Sequence, residues 1–147
     1  YRVLFEVLDE TVFTALNRRQ LDAVSKEIED RARRVGGGQL RASFQQLSTF
    51  ADQVEWYWTL GEAGLDIHVY GAPDWEPPAI PGVTYHGYGD ASTERYWVLT
   101  FDGGPNPTQA CGLAARAAED SFDGFWTDDA ELVAEIENAL QAAAGVD

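Results

Sequence analysis

At 147 residues the chain has the length of one domain able to bury a sizeable core. It carries 25 acids against ten bases, a net charge of −15, which repels phosphate backbones and anionic lipid and argues against direct nucleic-acid or membrane binding. Apolar residues make up 45%, with five Trp, six Tyr and seven Phe, which excludes a disordered chain.

The apolar runs are too short for a membrane span, and no signal-peptide pattern is present. The lone cysteine, Cys111, rules out an internal disulfide and fits a reducing, cytoplasmic compartment. A chain that starts at Tyr1 without any Met reads as a single domain, residues 1–147, excised from something longer. Lys26 is the only lysine. Such an acidic, Lys-poor surface suits a halophilic cytoplasm, where molar salt cuts the range of repulsion to roughly 3 Å; an ordinary acidic protein is the alternative.

In chain order, residues 3–8 and 11–16 are short apolar and β-branched runs, at least one of them a strand. Asn17 with Gln20 has the spacing of a capping box. Leu21, Val24, Ile28, Ala32 and Val35 then recur at helical spacing, which predicts an amphipathic helix over 18–35, ended by Gly36-Gly37-Gly38. Ser43 with Gln46 repeats the capping pattern ahead of a helix over 46–62, although Phe44 and Gln45 also fit a strand. Leu65–Tyr70 alternates as a strand does. Residues 71–82, with four of the six prolines, are irregular, and Val83–Tyr88 is a short strand.

Tyr96–Phe101 and Ala110–Ala115 flank the turn-forming string DGGPNP, so the chain reverses there into a long hairpin. Phe122, Phe125 and Trp126 fold back over it. Thr127 caps a last helix over 128–143, with Asp128 and Asp129 near the positive end of its dipole. These elements predict an α+β fold, a mixed or antiparallel sheet of about five strands with three main helices packed on it.

Catalytic signatures are missing. There is no G-x-S-x-G elbow, P-loop or G-x-G-x-x-G, and the three glycines at 36–38 lack the Lys and Ser/Thr that grip phosphate. His68 and His86 show no metal-ligand spacing and read as satisfied strand residues, Cys111 as a small core residue. Ser25 and Glu29 lie one helical turn apart beside the apolar stripe of the first helix, so a half-buried Glu29 needs a donor; a nearby Arg or the amide of Gln45 would serve. That pair is either a structural polar bridge or a ligand contact. Trp56, Tyr57 and Trp58 are consecutive and cannot all face one core, which leaves aromatics for a pocket or a dimer surface.

The runs LDAVSKEIED at 21–30 and SFQQLSTF at 43–50, with Tyr57 and Leu60 after them, resemble the first half of DICT sensory domains. YWVLTFDGG, TQACGLAARA and FDGFWTDDAELVAEIENAL resemble the second half, in order over residues 20–141. The composition is similar to that of salt-loving archaeal members. The resemblance implies a non-catalytic, cytoplasmic input module attached to a histidine kinase, a diguanylate cyclase or a helix-turn-helix regulator, with a role in light or small-molecule sensing. It names no cofactor or ligand. The residues carried over as candidate ligand contacts are Ser25, Glu29, Phe44, Gln45, Trp97 and Trp126, with Phe125 and Thr127 beside the last. Many members have an acid just before the tryptophan matched by Trp97, where this chain has Tyr96. Many also have a Glu soon after the Ala-rich strand, where this chain has Arg116-Ala117-Ala118 and reaches Glu119 late. Where those acids contact a ligand, this chain's ligand differs or is absent. The alternative is a protein-interaction or dimerisation module, which an exposed aromatic patch without a closed pocket would favour. An enzyme would need His68 or His86 in a cleft with two perturbed acids.

Overall fold

The computed structural model describes residues 14–87, 96–117 and 122–143; the run at 3–8 lies outside them. Among the described residues the elements are β1 (Thr14–Leu16), α1 (Arg18–Val35), β2 (Gln39–Gln46), a 3-10 segment (Leu47–Gln53) leading into α2 (Val54–Glu62), β3 (Asp66–Ala72), β4 (Val83–Gly87), β5 (Tyr96–Phe101), β6 (Cys111–Ala117), β7 (Phe122–Thr127) and α3 (Ala130–Ala143). The sheet has seven strands in the order β1-β7-β6-β5-β2-β3-β4. β2, β3 and β4 run parallel, and β5, β6, β7 and β1 join antiparallel from β2 outward. Among the described residues it is the expected α+β fold, a mixed sheet with three main helices, with seven strands for the expected five or so.

The alternation of strand side chains sorts them to two faces. Leu40, Ala42, Ile67, Val69, Leu99, Leu113 and Ala115 pack with Leu21, Ile28 and Ala32 of α1 and with Tyr57 and Leu60 of α2. Tyr70, Val98 and Ala114 pack on the opposite face with Ile136, Ala139 and Leu140 of α3. The helices therefore cover both faces, and β2 and β5 sit near the middle.

α1 begins and ends where its sequence signals put it. The Asn17 side chain accepts from Gln20 N at 2.8 Å, Gln20 Oε1 accepts from Asn17 N at 2.9 Å, and Gly36 closes the helix at φ +73°. The second helix differs from expectation. Ser43 lies inside β2, paired with Tyr70 and Val98, so it is not the N-cap of the helix, and the chain makes a 3-10 segment before α2 starts at Val54. The last helix also starts later than expected. Asp129 Oδ1 accepts from Glu131 N at 2.9 Å and so caps α3, while Thr127 Oγ1 accepts from Asp129 N at 3.0 Å one step earlier. Phe122–Thr127 is not a loose aromatic cover. It is a full strand between β6 and β1.

The DGGPNP reversal locks to the start of β2. Asp102 Oδ1 accepts from Gly104 N at 2.9 Å and from Gln39 N at 3.0 Å. Gly38 passes this turn at φ +103°, and a Cβ there would lie 2.5 Å from Gly104 Cα. Gly38→Ala therefore sets both an unfavourable φ and a backbone clash, and is expected to cost about 2 kcal/mol or more, read as a lowered midpoint in urea unfolding. An unchanged midpoint would mean that this junction is loose.

Candidate functional site

A pocket of about 410 Å³ opens between α1 and the segment 49–57, floored by β2 and β5. Its α1 wall comes from Arg18, Asp22, Ser25, Lys26 and Glu29, spaced so that one stripe of the helix faces it. Phe44, Tyr57 and Trp97 supply aromatic surface, and Asp52 stands at the rim. Four of the six residues singled out from sequence meet here: Ser25, Glu29, Phe44 and Trp97. Gln45 follows Phe44 on β2, and its side chain lies outside the described residues. Trp126 is elsewhere. It is 56% exposed on β7 and borders a separate apolar hollow of about 200 Å³ with Val24, Ile28 and Cys111.

Glu29 is the polar centre of the pocket, only 6% exposed. Among the described residues its donors are two aromatic side chains. Tyr57 Oη donates to Oε2 at 2.6 Å and Trp56 Nε1 donates to Oε1 at 2.9 Å. Burial pushes the Glu29 carboxyl above the ordinary glutamate value, against the pull of those two hydrogen bonds and of the nearby Lys26 charge. Burial and the Glu29 charge likewise hold the Tyr57 hydroxyl well above its ordinary range. A raised carboxyl favours the protonated folded form. Its contribution to stability is full below the unfolded value and declines as pH rises through the folded one.

The three consecutive aromatics divide by function. Tyr57 is fully buried, Trp58 is 42% exposed, and Trp56 lies between, its indole N–H on Glu29 and its ring under Lys26 Nζ at 3.6 Å. Arg18 sits over the Trp97 ring at 4.6 Å and pairs with Asp22 at 3.4 Å. Ser25 lines the pocket but its Oγ donates to Leu21 O at 2.9 Å, so its hydroxyl proton is committed within the helix.

A second polar cluster occupies the other face, and sequence reasoning missed it. The buried Arg41 of β2 donates to Tyr70 Oη at 2.7 Å and to Gln39 Oε1 at 2.8 Å, and its Nε lies 3.7 Å from Glu137 Oε2 of α3. His68 and His86 are not lone residues. Parallel β3 and β4 bring His68 Nδ1 within 2.9 Å of His86 Nε2, and the His86 ring stacks on both His68 and Tyr70. Burial, then the His68 and Arg41 charges, pushes His86 below its ordinary value. Among the described residues no group of three His, Cys, Asp or Glu side chains is placed to hold a metal. Cys111 is buried and its thiol is pushed up to about 11 by that burial, the behaviour of a core residue rather than a nucleophile. No helix among the described residues is long and apolar enough to cross a membrane.

With this geometry in hand, the chain can be compared with known proteins. The family profile described as DICT, Sensory domain in DIguanylate Cyclases and Two-component system, matches residues 2–117. That span contains Ser25, Glu29, Phe44, Gln45 and Trp97 and stops before Trp126. No curated protein matches the chain. The crystal structure of polyphosphate kinase from Porphyromonas gingivalis is similar in fold, with a TM-score of 0.59 and 16% identity over 98% of this chain. This chain spans 26% of that kinase chain, and the likeness is one of fold alone.

Proposed function

The chain belongs to the DICT family of sensory domains, and from that premise we propose that it is a non-catalytic input module whose Glu29 pocket binds a small-molecule signal. The observation that carries this reading is a buried carboxylate held by two neutral donors in a pocket of about 410 Å³ with aromatic walls. That volume is in the range of about 300–1,000 Å³ typical of small-molecule sites. α1 contributes five of the lining residues and runs through Gly36 into the turn before β2, so a ligand that draws α1 toward the 49–57 segment moves the helix as a unit. A neighbouring kinase, cyclase or helix-turn-helix domain is the expected reader of that motion. The acidic, Lys-poor composition fits a halophilic cytoplasm as the setting. A ligand-biased, incompletely satisfied polar site is a physical basis for such a switch.

Native mass spectrometry of protein purified from its own host, with an absorption spectrum of the same sample, tests this. A stoichiometric bound compound, or absorbance beyond the tryptophan band for a light-related signal, is the expected result. An apo mass unchanged after soaking in metabolite extract overturns it. The second reading is an interaction or homodimer module, favoured by Trp126 at 56% exposure beside an apolar hollow. A stable dimer lost in Trp126→Ser, together with an apo mass, would select it.

A further inference from the structure

Glu29 is a buried carboxylate without a countercharge in contact: among the described residues its two hydrogen bonds come from a phenol and an indole, both neutral. Each carboxylate oxygen has room for about two hydrogen bonds, and each accepts one from these donors. The two cations lining the pocket are committed elsewhere, Lys26 to the Trp56 ring and Arg18 to Asp22 and the Trp97 ring. The lining acids Asp22, Glu29 and Asp52 and the net charge of −15 disfavour an anionic guest and concentrate cations near the opening. Arg18 over Trp97 at 4.6 Å already demonstrates that a guanidinium is accommodated on that ring at the mouth of the pocket.

Resting on the pocket being the signal site, we propose that its ligand is an organic cation with a flat or apolar body, an amidinium, guanidinium or protonated amine, whose N–H groups pair with the open side of Glu29 and whose body lies against Phe44 and Trp97. The ligand's charge supplies the partner that Tyr57 and Trp56 do not, and its body takes over the ring surface that Arg18 covers. Binding of a cation and ionisation of Glu29 are then linked, so affinity rises as the carboxyl loses its proton.

The test uses three nearly isosteric probes on the whole chain: benzamidine, benzamide and benzoate, cationic, neutral and anionic. Affinity is measured by calorimetry, and contact by the NMR shifts of the Trp56 and Trp97 indole N–H signals. Benzamidine is expected to shift both signals and to bind at least about 10-fold more tightly than benzamide, the worth of one charged hydrogen bond, with benzoate not binding. Glu29→Gln is expected to erase that preference, whereas Glu135→Gln, an exposed acid of α3 on the opposite face of the sheet, keeps it, which separates a specific partner from the general pull of an acidic surface. Should Glu29→Gln fail to fold, the pH series on the unaltered chain serves instead: benzamidine affinity climbs with pH and benzamide affinity stays flat. Benzamide or benzoate binding as tightly as benzamidine at these indoles overturns the cation and leaves the sensory pocket standing. No shift from any probe overturns the cation site as well, and the metabolite-extract experiment then decides the pocket reading separately.

Discussion

Replacing Glu137 with glutamine is expected to stabilise the protein at pH 8, by about 2–3 kcal/mol, and to change it little near pH 4.5. Glu137 reaches from α3 toward the buried Arg41, with its side chain 14% exposed and the nearest approach 3.7 Å. Burial pushes its carboxyl up from the ordinary 4.5 to about 7; Asp102 adds to the rise and Arg41 opposes it. The attraction of Arg41 is therefore the smaller effect. A folded value above the unfolded one means that the folded protein binds the proton more tightly. Stability is full below about 4.5, falls as pH rises, and has lost this contribution above about 7. At ~1.4 kcal/mol per tenfold change in proton affinity, the rise from 4.5 to about 7 is worth at most roughly 3.5 kcal/mol; solvent screening at this incompletely buried site brings the loss to roughly 2–3 kcal/mol, and glutamine, which cannot ionise, avoids it. Thermal unfolding should show the variant's midpoint higher by about 5–10 °C at pH 8 for a chain of this size. The residual pH slope of the variant would then include Glu29, whose shift has the same sign, and His86, whose depressed value has the opposite one. A Gln variant less stable than the parent at pH 8 would show instead that the Arg41 pair outweighs the cost of burying it.

Arg41 also explains why the sheet was harder to read than the helices. α1 was legible to the residue because its cap, its stripe and its terminal glycine all act within one turn of where they stand. The β5–β6 hairpin was legible for the same reason, since DGGPNP permits little besides reversal. β2 gave the opposite signal. Its Arg41 and Ser43 look like solvent-facing residues ahead of a helix, and Ser43 with Gln46 mimics a cap. Yet Leu40, Ala42 and Phe44 alternate toward the core, and β2 lies between β3 and β5. Tyr70 and Glu137, far along the chain, join the neighbouring Gln39 in making a buried arginine there acceptable.

The candidate site divides in the same way. That Glu29 needed a donor followed from its place beside the apolar stripe of α1. Which donor did not, because the rotation of the short α2 decides which of Trp56, Tyr57 and Trp58 faces α1, and that rotation is set by packing of Tyr57 against Phe50 and Phe44. Trp126 was drawn in by resemblance. Once Phe122–Thr127 is a strand, alternation puts Phe125 on the α3 face and Trp126, opposite Leu113, on the α1 face, where it lies toward the sheet edge beside Val24 and Ile28 and outside the Glu29 pocket. The histidines were separable in sequence only, because parallel pairing of β3 with β4 is a long-range choice that neither run encodes alone.

Truncating Tyr57 to alanine is expected to cost about 3–5 kcal/mol for the ring, plus the donor to Glu29, enough to bring a protein of ordinary stability close to unfolding. The ring is fully buried, edge-on to Phe50 with centroids 5.0 Å apart and to Phe44 at 6.3 Å. Tyr57→Phe keeps that packing and removes only the hydroxyl that donates to Glu29 Oε2 at 2.6 Å; it is expected to cost about 1–3 kcal/mol. That cost should depend on pH. The lost bond is one of those that hold the Glu29 carboxyl down, so its folded value climbs further in the Phe variant. Where the carboxyl is protonated in both proteins the difference is small; where it is ionised the parent holds a carboxylate with two donors and the variant holds one. Urea unfolding at pH 5 and pH 8, for Tyr57→Phe alone and combined with Glu29→Gln, separates packing from charge. A coupling of about 1 kcal/mol or more at pH 8, shrinking at pH 5, is the signature of a hydroxyl that stabilises an ionised Glu29. Equal costs at both pH values would mean that Glu29 is neutral throughout, and a carboxyl that never ionises offers a cation nothing to pair with.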